Sequence, residues 1–218
     1  MIKPLVCSFS GVYDGQRILE CSDVIDFSDM KGCSMYVDED SEKAILERLK
    51  SYPFRGLHFI DNGNYHYMTR LFLSFAGEEY DLVIFDNHSD DIPPAFGGLK
   101  SCGSWVYDIR NEDPFLKELT LIRRAGDEGA IFEGKRPVYI SVDKDVLSRD
   151  VLVTNWDQGD MTKEEFFDIF TGIIKTRSVL GIDICGEDEP GKDISENEAF
   201  NMELISAVRK LKGSYDLF

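Results

Sequence analysis

The chain is predicted to fold as an α/β protein with a mostly parallel central sheet. Two observations predict this. Its strand-like runs are apolar nearly throughout, which suits strands covered on both faces. Helix-like patterns lie between those runs along the whole length, and no internal repeat or low-complexity linker interrupts the alternation. At 218 residues the chain is long enough for one full core, so residues 1–218 are expected to form a single domain.

The elements follow in order. Leu5 to Phe9 is a short apolar run and reads as a strand. Ser41 to Tyr52 reads as a helix, with Ile45, Leu46 and Leu49 on one face. Gly56 to Ile60 is a second strand-like run; it contains His58, read as a structural histidine. Gly63-Asn64-Tyr65-His66 is a turn leading into a helical pattern over His66 to Phe75. Asp81 to Phe85 is the most uniformly apolar strand, and Trp105 to Ile109 and Leu119 to Arg123 read as two more. Pro137 to Val142 and Val179 to Ile184 complete the strands. Between them Thr162 to Thr176 carries Phe166, Ile169, Phe170, Ile173 and Ile174 at helical spacing, a stripe that belongs to the core. This helix opens with a capping box, Thr162 to Glu165, and the last helix, Ser195 to Leu211, is expected to open with another, Ser195 to Glu198.

Composition narrows the function. A formal charge of −17 repels phosphate backbones, which argues against a nucleic-acid binder, and it favours cations. Clusters such as Asp38-Glu39-Asp40 and Glu187-Asp188-Glu189 read, on charge alone, as solvated surface. No apolar stretch of about 18 residues is present to span a bilayer, and no cleavable leader is evident, so a cytoplasmic protein without a membrane partner is expected. The five cysteines are odd in number and scattered without a C-x-x-C pair; they are expected to be reduced thiols in or near the core.

Chemistry concentrates at two strand ends. Asp86-Asn87-His88-Ser89-Asp90 follows the run Leu82 to Phe85, and Ser141-Val142-Asp143-Lys144-Asp145 follows Val138 to Ile140. Extended backbone alternates with period two, so Asp86, His88 and Asp90 converge, as do Asp143 and Asp145. Carboxylates placed after buried strands are costly unless something neutralises them. In parallel sheets, moreover, ligands bind beyond the carboxyl ends of strands. With His66 from the glycine-containing turn, the set reaches six candidate ligands. Oxygen and imidazole donors without thiolate suit Mn²⁺, with Fe²⁺, Co²⁺ or Zn²⁺ as alternatives. Four carboxylates also offset two divalent ions and leave room for a bridging hydroxide.

These motifs, in this order, resemble those of the arginase (ureohydrolase) family, which includes arginases, agmatinases and formimidoylglutamases; the chain looks like a short, divergent member. The resemblance covers about residue 56 onwards and adds Glu187 to Pro190 as a fourth motif. It implies a three-layer α/β/α fold and a binuclear manganese centre on His66, Asp86, His88, Asp90, Asp143 and Asp145. It also implies hydrolysis of a non-peptide C–N bond in a small guanidino or amidine compound. Glu187 would hold the substrate cation, and Asp90 would steer the proton to the leaving nitrogen. Two departures stand out. Cys102 occupies the place of the family's proton-shuttling histidine, which makes it a candidate catalytic or substrate-contacting residue. The loop Asp91 to Gly98 also differs from the family's recognition loop. Trp156, in a polar loop, is a candidate for the pocket wall.

Two other readings compete: a mononuclear-metal deacetylase-type amidohydrolase, and a catalytically silent metal-binding or ligand-sensing protein. The first lacks support from an adjacent histidine pair, and the second draws on the replaced shuttle. Members of the family often form homo-oligomers, which the sequence leaves open.

Overall fold

The computed structural model describes residues 2–95 and 99–218. Seven parallel strands form the central sheet: β1 (Leu5–Ser8), β2 (Asp23–Asp26), β4 (Leu57–Phe59), β5 (Tyr80–Phe85), β7 (Leu116–Ile122), β8 (Val138–Asp143) and β9 (Val179–Cys185). Their order across the sheet is β2-β1-β4-β9-β8-β5-β7. A small antiparallel pair, β3 (Tyr36–Val37) with β6 (Lys100–Ser101), lies apart from it. The helices are α1 (Glu39–Leu49), α2 (Met68–Leu73), α3 (Trp105–Glu112), α4 (Lys163–Thr176) and α5 (Ser195–Lys212). None is long and apolar enough to cross a membrane.

The sheet divides the core in two because alternate residues of each strand face opposite ways. From β5, Val83 and Phe85 pack with Phe166, Phe170, Ile173, Leu204 and Val208 of α4 and α5. Leu82 and Ile84 pack with Ile45, Leu71, Phe72, Trp105 and Ile109 of α1, α2 and α3. The result is the expected three-layer α/β/α arrangement. The predicted stripe of α4 is buried, and its capping box forms between Thr162 and Glu165.

Three expectations require correction. Trp105 to Ile109 is not a strand but the start of α3: Trp105, Val106 and Ile109 are buried as one face of a helix. Ser195 does not cap α5. The N-cap is Ile194, without a side-chain cap, while Glu198 pairs with Arg17. Glu187 is not solvated surface, being 2% exposed. Strand β2 had no clear signal in the sequence, since only Ile25 of its four residues is buried.

His58 is a core residue, as read: it is 1% exposed and stacks on Phe72 with ring centroids 4.1 Å apart. Burial lowers its pKa from 6.5 to about 4. Because the folded value lies below the unfolded one, the unfolded chain takes up the proton first, and stability falls as pH drops through that window. Between about pH 7 and pH 5 this residue should remove about 2 kcal/mol. His58→Phe, which keeps the stack, should show a correspondingly shallower loss in urea unfolding at the two pH values; an unchanged loss would show that other groups carry the acid sensitivity.

Candidate metal centre

Strands β5 and β8 are neighbours with Phe85 opposite Val142, so their next residues, Asp86 and Asp143, emerge side by side at the carboxyl edge. Beyond β8 the chain enters a short 3-10 turn, Lys144–Val146, whose start is held by the Asp143 carboxylate accepting from the Asp145 amide at 3.0 Å. Past β5 the Asp145 carboxylate accepts from the Asn87 amide at 2.9 Å, tying the two loops together. His66 ends the turn after β4, where the Asn62 side chain accepts from the Asn64 amide.

All six predicted ligands meet there. His66 Nδ1 lies 3.1, 3.3 and 3.5 Å from Oδ2 of Asp90, Asp86 and Asp143. His88 Nδ1 lies 2.8 Å from Asp145 Oδ2 and 3.6 Å from Asp86 Oδ1. Two ligand groups result, His66 with Asp86 and Asp143, and Asp86 with His88 and Asp145. Asp86 belongs to both.

The surroundings fit a cation. His66 Nδ1 is buried and makes no hydrogen bond among the described residues. Its Nε2 lies 3.0 Å from Ser141 Oγ, which donates to Asp183 Oδ1 at 2.7 Å. Since the serine proton goes to Asp183, Nε2 is assigned as the donor to Ser141, so Nδ1 is the nitrogen that faces the carboxylates and that would offer its lone pair to a metal on losing its proton. Burial opposes a charge on His66, but Asp86 and Asp90 outweigh it and raise its pKa well above the ordinary value. Burial raises Asp143 strongly, and raises Asp145 to about 6. The Asp145 hydrogen bond raises His88 to about 10. Each shift expresses the same excess of desolvated negative charge, which a divalent ion would offset.

Sequence reasoning missed four supporting residues. Trp105 donates its indole N–H to Asp90 Oδ2 at 2.7 Å, and Asp90 itself has a positive φ of 47°. Asp183 and Ser141 sit inside apolar strand runs, and a polar residue in such a run was the available signal. Gly186, with φ of 91°, is also required: a Cβ there would come 2.4 Å from Asp143 Oδ1.

A cavity of about 500 Å³ opens over the ligands. Met35, Tyr36, Ile92, Pro93, Cys102 and Trp156 contribute to its walls. Of the loop Asp91 to Gly98, residues Phe96, Gly97 and Gly98 lie outside the described residues. Trp156 donates to Asn64 Oδ1 at 3.1 Å and presents its ring to His88 edge-on. Cys102 is buried beside Asp90, and burial first, then that charge, pushes its thiol up to about 12. All five cysteines are free.

Glu187 is the one predicted site residue held by a buried cation of the chain itself. It is not among the described cavity walls. Lys144 Nζ, fully buried, lies 2.5 Å from Glu187 Oε1 and donates to Asn197 Oδ1 at 2.6 Å. Gln16 and Asn201 donate to the same carboxylate at 3.0 and 2.7 Å.

No protein-family model matches the chain. An uncharacterized protein of Thermotoga maritima is 30% identical over 226 residues, covering 95% of this chain and 91% of that one. Three solved structures share the fold. Proclavaminate amidino hydrolase from Streptomyces clavuligerus has a TM-score of 0.63 at 14% identity, covering 95% of this chain and 90% of its own. Formimidoylglutamase from Bacillus subtilis has 0.62 at 16%, covering 98% and 88%. Agmatine ureohydrolase of Thermoplasma volcanium has 0.57 at 16%, covering 94% and 88%. The similarity thus includes the N-terminal strands as well as the motif-bearing part. The chain belongs to one family with the Thermotoga maritima protein, and its fold is that of the arginases and related ureohydrolases.

Proposed function

We propose that this chain is a metal-dependent hydrolase that cleaves a non-peptide C–N bond in a small amidine-type molecule. The observation that carries the reading is the pair of ligand groups sharing Asp86 beneath an open cavity. His66, Asp86, Asp90 and Asp143 would hold one ion, and Asp86, His88 and Asp145 the other. Their oxygen and nitrogen donors suit Mn²⁺. When bound, such ions polarise the bond to be cleaved and acidify water enough for it to react near neutral pH.

The protein's own residues set the geometry. Ser141 and Asp183 hold His66 in the tautomer that offers Nδ1. Trp105 anchors Oδ2 of Asp90, and this carboxylate would receive a proton from the attacking water and pass it to the leaving nitrogen. Trp156 and Cys102 shape the wall, Cys102 as an uncharged thiol contacting the substrate.

The test is metal content after Mn²⁺ loading and desalting, together with a screen of guanidino and formimino compounds for urea, ammonia or formamide release. Two ions per wild-type chain and release that disappears in Asp145→Ala, with one ion lost, are expected. Release unchanged in Asp145→Ala would sink the proposal. Tight metal binding without hydrolysis would favour the silent, ligand-sensing reading.

A further inference from the structure

We infer that the substrate carries an anionic group, in the simplest case a carboxylate, and that Arg123 is the specificity residue that receives it. The inference rests on the hydrolase reading above and adds the charge of the substrate. Its starting point is the fate of Glu187. A buried carboxylate needs a cation, and Lys144 supplies one from within the chain at 2.5 Å, with Gln16 and Asn201 filling further acceptor positions. Glu187 therefore has no call for a cationic substrate, and it does not line the cavity.

The charge of the cavity is then set by what does line it. Two divalent ions would offset the four aspartates. Of the remaining described lining residues, Arg123 is the only lysine or arginine. Its position follows from the sheet: Ile122 of β7 pairs with Phe85 of β5, so Arg123 stands level with Asp86, one strand away. Its guanidinium has no ion-pair partner among the described residues. The nearby Asp127 carboxylate instead accepts from the Arg123 amide at 3.0 Å and pairs with Arg124. The undescribed residues, Met1, Phe96, Gly97 and Gly98, carry no acidic side chain. Arg123 is an exposed residue of the cavity lining, and a planar guanidinium without an ion pair can capture a carboxylate bidentately. The lining residues Met35, Tyr36, Ile92 and Trp156 suit an apolar spacer rather than a second charge.

The test uses three probes with the same guanidino head and different tails: γ-guanidinobutyrate (carboxylate), agmatine (ammonium) and butylguanidine (methyl). Their dissociation constants for the Mn²⁺-loaded protein are measured by titration calorimetry, with bound metal counted on the same samples. Wild type should prefer γ-guanidinobutyrate over agmatine by about tenfold or more. Arg123→Gln should bring the two within about twofold while leaving metal content unchanged. Agmatine binding as tightly as γ-guanidinobutyrate, the preference surviving in Arg123→Gln, or no probe binding to metal-loaded protein would each overturn the inference and leave the metal centre standing. A wild type that holds no metal would instead remove the hydrolase reading beneath it.

Discussion

Asp86→Ala is expected to strip the protein of both ions, whereas Asp145→Ala removes one. The difference comes from geometry. Asp86 is 1% exposed at the end of β5, and its two oxygens face different partners: Oδ2 lies 3.3 Å from His66 Nδ1 and Oδ1 lies 3.6 Å from His88 Nδ1. Asp145 serves only the His88 side. Elemental analysis after desalting should give two ions for wild type, one for Asp145→Ala and none for Asp86→Ala, with hydrolysis at background in the last. Stability gives a second readout that does not depend on turnover. A ligand present at about a thousand times its dissociation constant stabilises the fold by about 4 kcal/mol, so Mn²⁺ should raise the wild-type melting temperature and leave that of Asp86→Ala unmoved. Two ions retained by Asp86→Ala would rule out a shared ligand at this position.

What the sequence disclosed and what it hid have a common physical reason. The candidate ligands Asp86, His88, Asp90, Asp143 and Asp145 were legible because carboxylates after buried strands are expensive, but they converge through turns rather than strand alternation: β5 ends at Phe85, Asp90 has a positive φ, and Asp145 lies in a 3-10 turn. Local rules also placed α4, where the Thr162 and Glu165 side chains satisfy each other's backbone within one turn. The same rule failed at Ser195, because Glu198 is drawn to Arg17, distant in sequence. Trp105 to Ile109 was misread because five residues rich in apolar side chains fit a strand and one helical face equally well. That error concealed the role of Trp105, whose indole reaches back to Asp90 only from the start of a helix. Glu187 was recognised as important, but its partners were not. Gln16 is 171 positions away, and no local pattern announces such a bond.

Lys144→Met should therefore be the most destabilising single substitution near the site, by about 3–5 kcal/mol. Methionine fills much the same space, so the cost is electrostatic: Glu187 would remain 2% exposed, with its cation gone and only the amides of Gln16 and Asn201 to hold it. Adding Glu187→Gln removes the stranded charge and keeps an acceptor for both amides. The double variant should recover most of the loss, as buried pairs replaced together are often near neutral. Urea unfolding of the four proteins in chelator measures the coupling without any contribution from metal. A loss below about 1 kcal/mol in Lys144→Met would show that Glu187 readily finds water or another cation, which would also weaken the inference that it is withheld from substrate. The position of the pair gives it a functional side. Lys144 lies between the two candidate ligand aspartates, in a turn that Asp143 itself caps. Lys144→Met should accordingly bind Mn²⁺ more weakly, and the double variant should regain affinity together with stability, because the same buried bond that offsets the charge of Glu187 also holds the turn carrying Asp145 in place.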